Sequence, residues 1–442
     1  MTDPGFERTI GKARPTSTDF MEVGTSGLVQ YGGKVQEDFL RQLQGRRGVA
    51  NYREMADNDP VVGAILHAVE MLMRTVDWSI DAADTADETA MQYAEFVAEC
   101  MQDMTQSWDD IISSILSFLT YGFSVHEIVY KRRNGEAGDD VSKYDDGLVG
   151  WKKLPIRGQS TIYEWDIDAN GGINGLVQEQ VLGETWGRNN VHIPIEKILL
   201  FRTSTKYNNP RGRSVLRNAF MPWYYKTKIQ EIEAIGIERD LAGLPVAMVP
   251  PQLLSDNATS AETAALNAIK ELVRNIKRDE QEGIVFPLAY DPETGNLAYD
   301  LKLLSTGGRR QFDTNAIIQR YDQRIAMSIL ADFILLGHQA TGTQALSVSK
   351  IQLFVDSLSA WLGAIAEVFN AHGIPRLMRI NGFDTLKTPR LNFSPPRNVD
   401  LSALGAFIQQ LAGAGAPLFP DEDLEGYLRE VAGLPRAMAE EV

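Results

Sequence analysis

The sequence predicts an α+β fold, mainly helical, on three observations. Stretches with apolar residues three and four apart recur along the chain, which is the period of one helix face. Between residues 122 and 202, apolar and polar residues alternate between turn signals, the pattern of an antiparallel sheet. Two long helical stretches, near 214–242 and 309–335, bracket a short mixed segment and so form a hairpin with a folded tip. At 1.5 Å per residue each runs roughly 40 Å.

The elements follow in order. Residues 1–45 are rich in Gly, Thr, Asp and Gln with weak apolar periodicity, and read as a mobile arm with one short helix at 35–43. Val62, Ile65, Leu66, Val69, Leu72, Met73 and Val76 then line one helix face, with Asp59-Pro60 as its start signal. A strand (77–83), two amphipathic helices (88–104 and 108–121) and a strand carrying Phe123, Val125, Ile128 and Tyr130 come next. Residues 131–150 read as a polar loop. Strands WKKLPIR, TIYEWDID, LVQEQVL and IPIEKILLFR follow, with ANGGING as a turn. The first long helix holds Pro222 as a kink. The insert 244–305 offers strand PVAMVP, a helix from Ser260, strand EGIVFP, turn DPETGN and strand LAYDLKLL. After the second long helix come the loop GHQATGTQALSVS (337–349), a helix at 350–369, and an Ala- and Leu-rich segment, 402–440, that reads as helical.

At 442 residues the chain is long enough for two or three domains. With 44% hydrophobic and 23% charged residues it is an ordinary globular composition. No window holds the roughly 18 uninterrupted apolar residues of a membrane span, so a soluble protein is expected. The N-terminus lacks a signal-peptide core, and the single Cys100 excludes an internal disulfide, which fits a reducing cytoplasm. With 43 Lys and Arg against 59 Asp and Glu, the formal charge is −16. Tight nucleic-acid binders neutralise phosphates with basic side chains, so this balance argues against a static DNA binder.

Catalytic motifs fail on residue type. Gly337 and Gly342 have the spacing of a phosphate-binding loop, but Thr343 stands where the Lys belongs and a helix precedes the loop. His126-Glu127 starts like HExxH, but Tyr130 holds the fifth position and the segment is a strand. The five histidines, 67, 126, 192, 338 and 372, fall one to a segment, and Cys100 has no obvious base nearby. Close acids such as Asp57 with Asp59, Glu231 with Glu233, and Asp421 to Asp423 are what two-metal nucleases need, yet in an acidic chain they more simply make a solvated face. No cofactor and no catalytic or metal site is expected.

The run FRTSTKYNNPRGRSVLRNAFMPWYYKTK (201–228) resembles the Mu-like family of tailed-bacteriophage portal proteins. YREMADNDPVVGAILHAVEMLMRTVDWSI, LSFLTYGFSVHEIVYK and RDLAGLPVAMVPP are similar to further stretches of that family, in its order, so that the likeness spans residues 52–396. The resemblance implies a portal-protein fold assembling into a homo-oligomeric ring of about twelve copies. It divides the chain into a flexible arm (1–45), wing (46–211), first stem helix (212–243), clip (244–307), second stem helix (308–336), tunnel loop (337–349), a long helix returning to the wing (350–397) and a helical crown (398–442). Implied partners are double-stranded DNA, the large terminase subunit, the major capsid or scaffold protein and head-tail connector proteins, without a membrane. The implied place is the capsid vertex of a virion assembled in a bacterial cytoplasm.

On that reading His338, Gln339, Thr341, Thr343, Gln344 and Ser347 form the tunnel loop, offering neutral hydrogen bonds to passing DNA. Glu231, Glu233, Glu238 and Asp240 on the first stem helix, with Asp313 and Asp322 on the second, are candidates to face the lumen and repel it. Arg211, Arg213, Arg217, Arg309 and Arg310 are candidates for a subunit or DNA contact. Two other classes compete: a metal-dependent nuclease, resting on the carboxylates, and a head-tail adaptor ring, which the chain length disfavours.

Overall fold

The computed structural model describes residues 24–136, 141–180, 189–242, 244–255, 258–275, 290, 300–304, 313–329 and 344–394. The chain divides into two compact units: unit 1 comprises Met1–Phe220 with Ala326–Val442, and unit 2 is Met221–Ile325.

Unit 1 opens with a small hairpin, β1 (Gln30–Tyr31) and β2 (Lys34–Val35), and helix α1 (Gly45–Asn58). Helix α2 (Pro60–Arg74) starts where the sequence signals it. The Asp59 carboxylate accepts hydrogen bonds from the Val61 and Val62 N–H groups at 2.9 and 3.1 Å, and Pro60 has no N–H to leave unpaired. Val62, Ile65, Val69 and Met73 are buried, whereas Leu72 of the expected face is exposed. After β3 (Trp78–Asp81) come α3 (Glu88–Gln102), capped by Asp87, and α4 (Trp108–Tyr121), capped by Ser107 and ended by Gly122 at φ +91°.

The strands form several small antiparallel sheets. Strand β4 (Phe123–Glu127) pairs with β10 (Ile198–Arg202); β5 (Val129–Asn134) pairs with β6 (Asp145–Lys153); β7 (Ile162–Ile167), β8 (Ile173–Gln180) and β9 (Asn189–Pro194) make a three-stranded meander. The expected loop 131–150 is thus mostly a hairpin. Its polar residues misled because they are buried as ion pairs: Lys131 meets Asp103 at 2.9 Å, and Arg133 meets Glu99 at 2.5 Å and Asp146 at 2.7 Å while lying over the Phe96 and Tyr144 rings.

Unit 2 begins on α5 (Phe220–Ala242), a helix that starts six residues later than expected because a tight turn, Val215–Arg217, precedes it. Strand β11 (Leu244–Met248) pairs antiparallel with β12 (Asp300–Leu304), and α6 (Ser260–Asn275) opens on a capping box in which Thr259 and Glu262 bond each other's N–H groups. Strand EGIVFP and the DPETGN turn lie outside the described residues. Helix α7 (Thr314–Ser328) returns along α5: Lys226 Nζ meets Asp322 Oδ1 at 2.5 Å, with the lysine buried, and Thr314 Oγ1 donates to Glu233 at 2.5 Å. The described part of the second long helix is therefore a true hairpin partner of the first.

The chain re-enters unit 1 at Ala326, near the end of α7, and the described residues continue with α8 (Gln344–Val368), a π-type turn, α9 (Ile374–Ile380) and β13 (Arg390–Phe393), which pairs with β3. The stretch Leu353–Ile380 is long and apolar enough to cross a membrane. Phe354, Leu358, Leu362 and Ile365 are nevertheless buried within unit 1, and Phe369 sits against Trp108, Trp151 and Phe201.

Candidate subunit and nucleic-acid interface

The basic step that ends the sheet region is built from the backbone up. Tyr207 and Asn208 both adopt left-handed φ values, 55° and 53°. Asn tolerates this conformation; Tyr does so at a cost of about 1–2 kcal/mol. Asn208 is held on both faces, accepting from Arg202 at 2.9 Å and donating to Gly171 O at 2.8 Å. Asn209 then turns the chain, its side chain accepting from Arg211 N–H at 2.9 Å. Gly212, at φ +54°, backs directly onto Gly122: a Cβ there would lie 2.1 Å from the Gly122 carbonyl oxygen. Thr203 ties the same place together, donating its N–H to Gly122 O at 3.1 Å.

This backbone sends the three arginines to different fates. Arg211 turns inward, donating to Gly45 O at 3.0 Å and lying over the Phe123 ring; burial, then Arg46, pushes its guanidinium down to about 10. Arg217 is clasped by both carboxylate oxygens of Asp38 and lies over one face of the Phe39 ring, which stays largely exposed. Arg213 alone is exposed, with one bond to Asn218 at 3.0 Å. Arg211 and Arg217 thus each make a hydrogen bond within unit 1, Arg211 to a backbone carbonyl and Arg217 to a carboxylate. Tyr52 completes the cluster: burial, reinforced by Asp38, pushes its phenol well above the ordinary tyrosine value. Arg309 and Arg310 lie outside the described residues.

The acidic candidates also separate. Glu231 is exposed and pairs with Lys228 at 2.7 Å, a contact that raises the lysine's pKa. Asp313 is exposed and caps α7, accepting from Ala316 N–H at 3.1 Å. Glu233 and Asp322 are occupied within the α5–α7 hairpin. Glu238 and Asp240 belong to α5, their side chains outside the description. Of the loop candidates, His338, Gln339, Thr341 and Thr343 lie outside the described residues, whereas Gln344 and Ser347 already belong to α8, which begins six residues before the expected Lys350.

Charge counting misses an apolar feature: Met221, Tyr225, Ile232 and Ile235 of α5 are exposed, Ile232 by 68%. Their spacing of 4, 7 and 3 is the stripe a helix shows to a partner helix, and it is readable in the sequence once charge is set aside.

His126 and Cys100, singled out by residue type, are both buried. His126 is fully buried in β4, its Nδ1 2.8 Å from Leu154 O and its ring edge-on to Phe201; burial pushes its pKa down to about 4. Its neighbour Glu127 is ion-paired with Arg157. Burial pushes the Cys100 thiol up to about 11, next to Arg133, which leaves almost no thiolate at neutral pH. Among the described residues no three His, Cys, Asp or Glu converge as a metal site.

A family model described as the portal protein of Mu bacteriophage matches residues 49–434. Among solved structures, the chain is similar to a component of the neck of an empty GTA particle, computed with C6 symmetry, at TM-score 0.50 and 13% identity, covering 93% of this chain and 98% of that one. It also aligns with a chain of the native gene transfer agent virion (TM-score 0.49, 12% identity, 92% and 97% covered) and with an HK97-family phage portal protein from Corynebacterium diphtheriae (TM-score 0.41, 12% identity, 80% and 96% covered). No curated protein matches the chain.

Proposed function

The chain belongs to the family of portal proteins of Mu bacteriophage, and from that premise we propose that about twelve copies close into a ring at one capsid vertex and form the channel for DNA packaging and ejection. The observation that carries the ring is the solvent-exposed apolar stripe of α5. A 23-residue helix, roughly 35 Å long, that presents Ile232 and Ile235 to water is stabilised when a neighbouring copy covers them.

In this reading α5 and α7 are the stem, residues 244–307 the clip, residues 46–211 with 350–397 the wing, and 398–442 the crown. The net charge of −16, multiplied around a ring, keeps a moving duplex from sticking, because a translocating polymer needs contacts that renew quickly. Exposed Glu231 and Asp313 are the acids best placed to contribute. The motor ATPase is a separate terminase subunit that docks on the clip and is later replaced by connector proteins; the portal itself performs no catalysis.

Electron microscopy of the purified protein, counting subunits in end views, tests the ring directly. A monomer that cleaves DNA with Mg²⁺ overturns it in favour of a nuclease. Deleting residues 339–347 is expected to leave rings intact while packaging or DNA retention falls; full packaging and retention by that deletant removes the tunnel-loop assignment.

A further inference from the structure

Unit 1 contains a cavity of about 350 Å³ between the segment around Asp38 to Tyr52 and the basic loop. Its charged lining is Lys206, Arg211, Arg213 and Arg217 against Glu37 and Asp38, a local cationic excess in an acidic chain. The two acids are already engaged, Asp38 by Arg217 and Glu37 by the Val29 N–H. Arg211 differs from Arg217. Among the described residues no carboxylate pairs with it, and its guanidinium, which carries five N–H donors, gives one hydrogen bond to protein, to Gly45 O. A guanidinium withdrawn from water without a counter-ion is costly, so the site is incomplete as it stands. The rim is aromatic and open: Phe39 is 84% exposed and Tyr207, on a left-handed backbone, 48% exposed.

We infer that this cavity seats the carboxylate of an Asp or Glu from a neighbouring copy of the chain, with the flanking residues of that copy covering Phe39 and Tyr207. The inference rests on the ring reading. A planar carboxylate matches the guanidinium fork, and it supplies the charge that Arg211 lacks. A copy of this chain is a rich source of such groups, with 59 acids against 43 bases. In a ring the contact is heterologous, so the cavity of each subunit meets a different surface of the next, and an acid need not come from the cavity's own neighbourhood.

The test uses the full-length protein with a photoreactive benzoylphenylalanine at position 39, irradiated in the assembled ring. The expected product is a cross-linked dimer whose adduct peptide contains Asp or Glu. Arg213→Glu, a change at an exposed position, and Arg211→Met should each need at least about tenfold more subunit to hold the ring, since they remove an interfacial charge partner. Arg211→Lys keeps the charge and should lose less. The melting temperature of dissociated Arg213→Glu subunits should match wild type, which separates assembly from folding. Wild-type rings that cross-link only within one chain, or to DNA, overturn the inference, as do Arg213→Glu rings that resist dilution as well as wild type. Inorganic phosphate or acetate that raises the melting temperature of isolated wild-type subunits, but not of Arg211→Met, assigns the cavity to a free anion instead. A wild-type protein that stays monomeric overturns the ring reading itself and this inference with it.

Discussion

Replacing Gly212 by Ala tests whether the basic loop is held by the contact of two glycines. The new Cβ would lie 2.1 Å from Gly122 O and 3.2 Å from Thr203 Oγ1, and φ is +54°. The left-handed backbone costs an Ala about 1–2 kcal/mol. The carbonyl of Gly122 is backbone and cannot swing aside as a side chain would, so the two segments must part by roughly an ångström. That loosens the Thr203-to-Gly122 hydrogen bond and the neighbouring Arg211-to-Gly45 bond, about 1 kcal/mol each. The sum is about 3 kcal/mol, which for a unit as large as Met1–Phe220 with Ala326–Val442 lowers the melting temperature by roughly 4 °C. Gly363→Ala in α8 is the control of opposite sign: its φ is not left-handed and nothing lies within 4 Å of the added Cβ. It should stabilise by about 0.5–1 kcal/mol through helix propensity. Thermal melts of unassembled subunits followed by near-ultraviolet circular dichroism read both. A Gly212→Ala protein melting within a degree or two of wild type would refute the argument, as would a Gly363→Ala protein that falls as far.

Three further outcomes follow from buried groups. His126 has a folded pKa of about 4 against about 6.5 unfolded, so the unfolded chain binds the extra proton first. Stability from this residue is full above pH 6.5 and is lost as pH falls toward 4, about 3 kcal/mol in all; His126→Asn should flatten that slope in denaturant titrations, and an unchanged slope rejects the assignment. Lys226→Met strands the Asp322 carboxylate in the α5–α7 hairpin and should cost about 3 kcal/mol, seen as faster hydrogen exchange along both helices; protection equal to wild type counts against the pair. Cys100, buried with its thiol at about 11, should react with a thiol reagent at pH 8 only as fast as the protein unfolds, and rapid labelling of native protein contradicts its burial.

What the sequence made legible was what local chemistry dictates. Asp59-Pro60 and the periodic residues after it forced α2, and the alternation Phe123, Val125 placed β4. The ends of elements were harder. The residues 131–150 looked like a loop because Lys131 and Arg133 are charged, and only their distant partners Asp103, Glu99 and Asp146 make them core. The same blindness affected the site. Charge type singled out Arg211 and Arg217, but whether an arginine faces solvent or an internal carbonyl depends on Gly45 and Asp38, more than 160 residues upstream. The exposed isoleucines of α5 were visible as a spacing, yet a spacing does not say which side of a helix its own chain leaves bare.

The pairing of β3 with β13 sets a clock on the life of the molecule. Trp78 lies opposite Phe393, so the N-terminal body waits for more than 300 further residues, unit 2 among them, before its last strand exists. At about 5–20 residues per second that interval is roughly 15–60 s of translation. During it Trp78 and Ile80 line an unfilled edge, and the helix bearing Phe354 to Phe369, which completes the same core, is also still to be made. The β3 edge is thus covered only after Phe393 has been made. Until then Trp78 and Ile80 have no strand to cover them, so a nascent chain carries an open sheet edge of the kind that pairs with other chains, and this one is closed by the chain's own later strand.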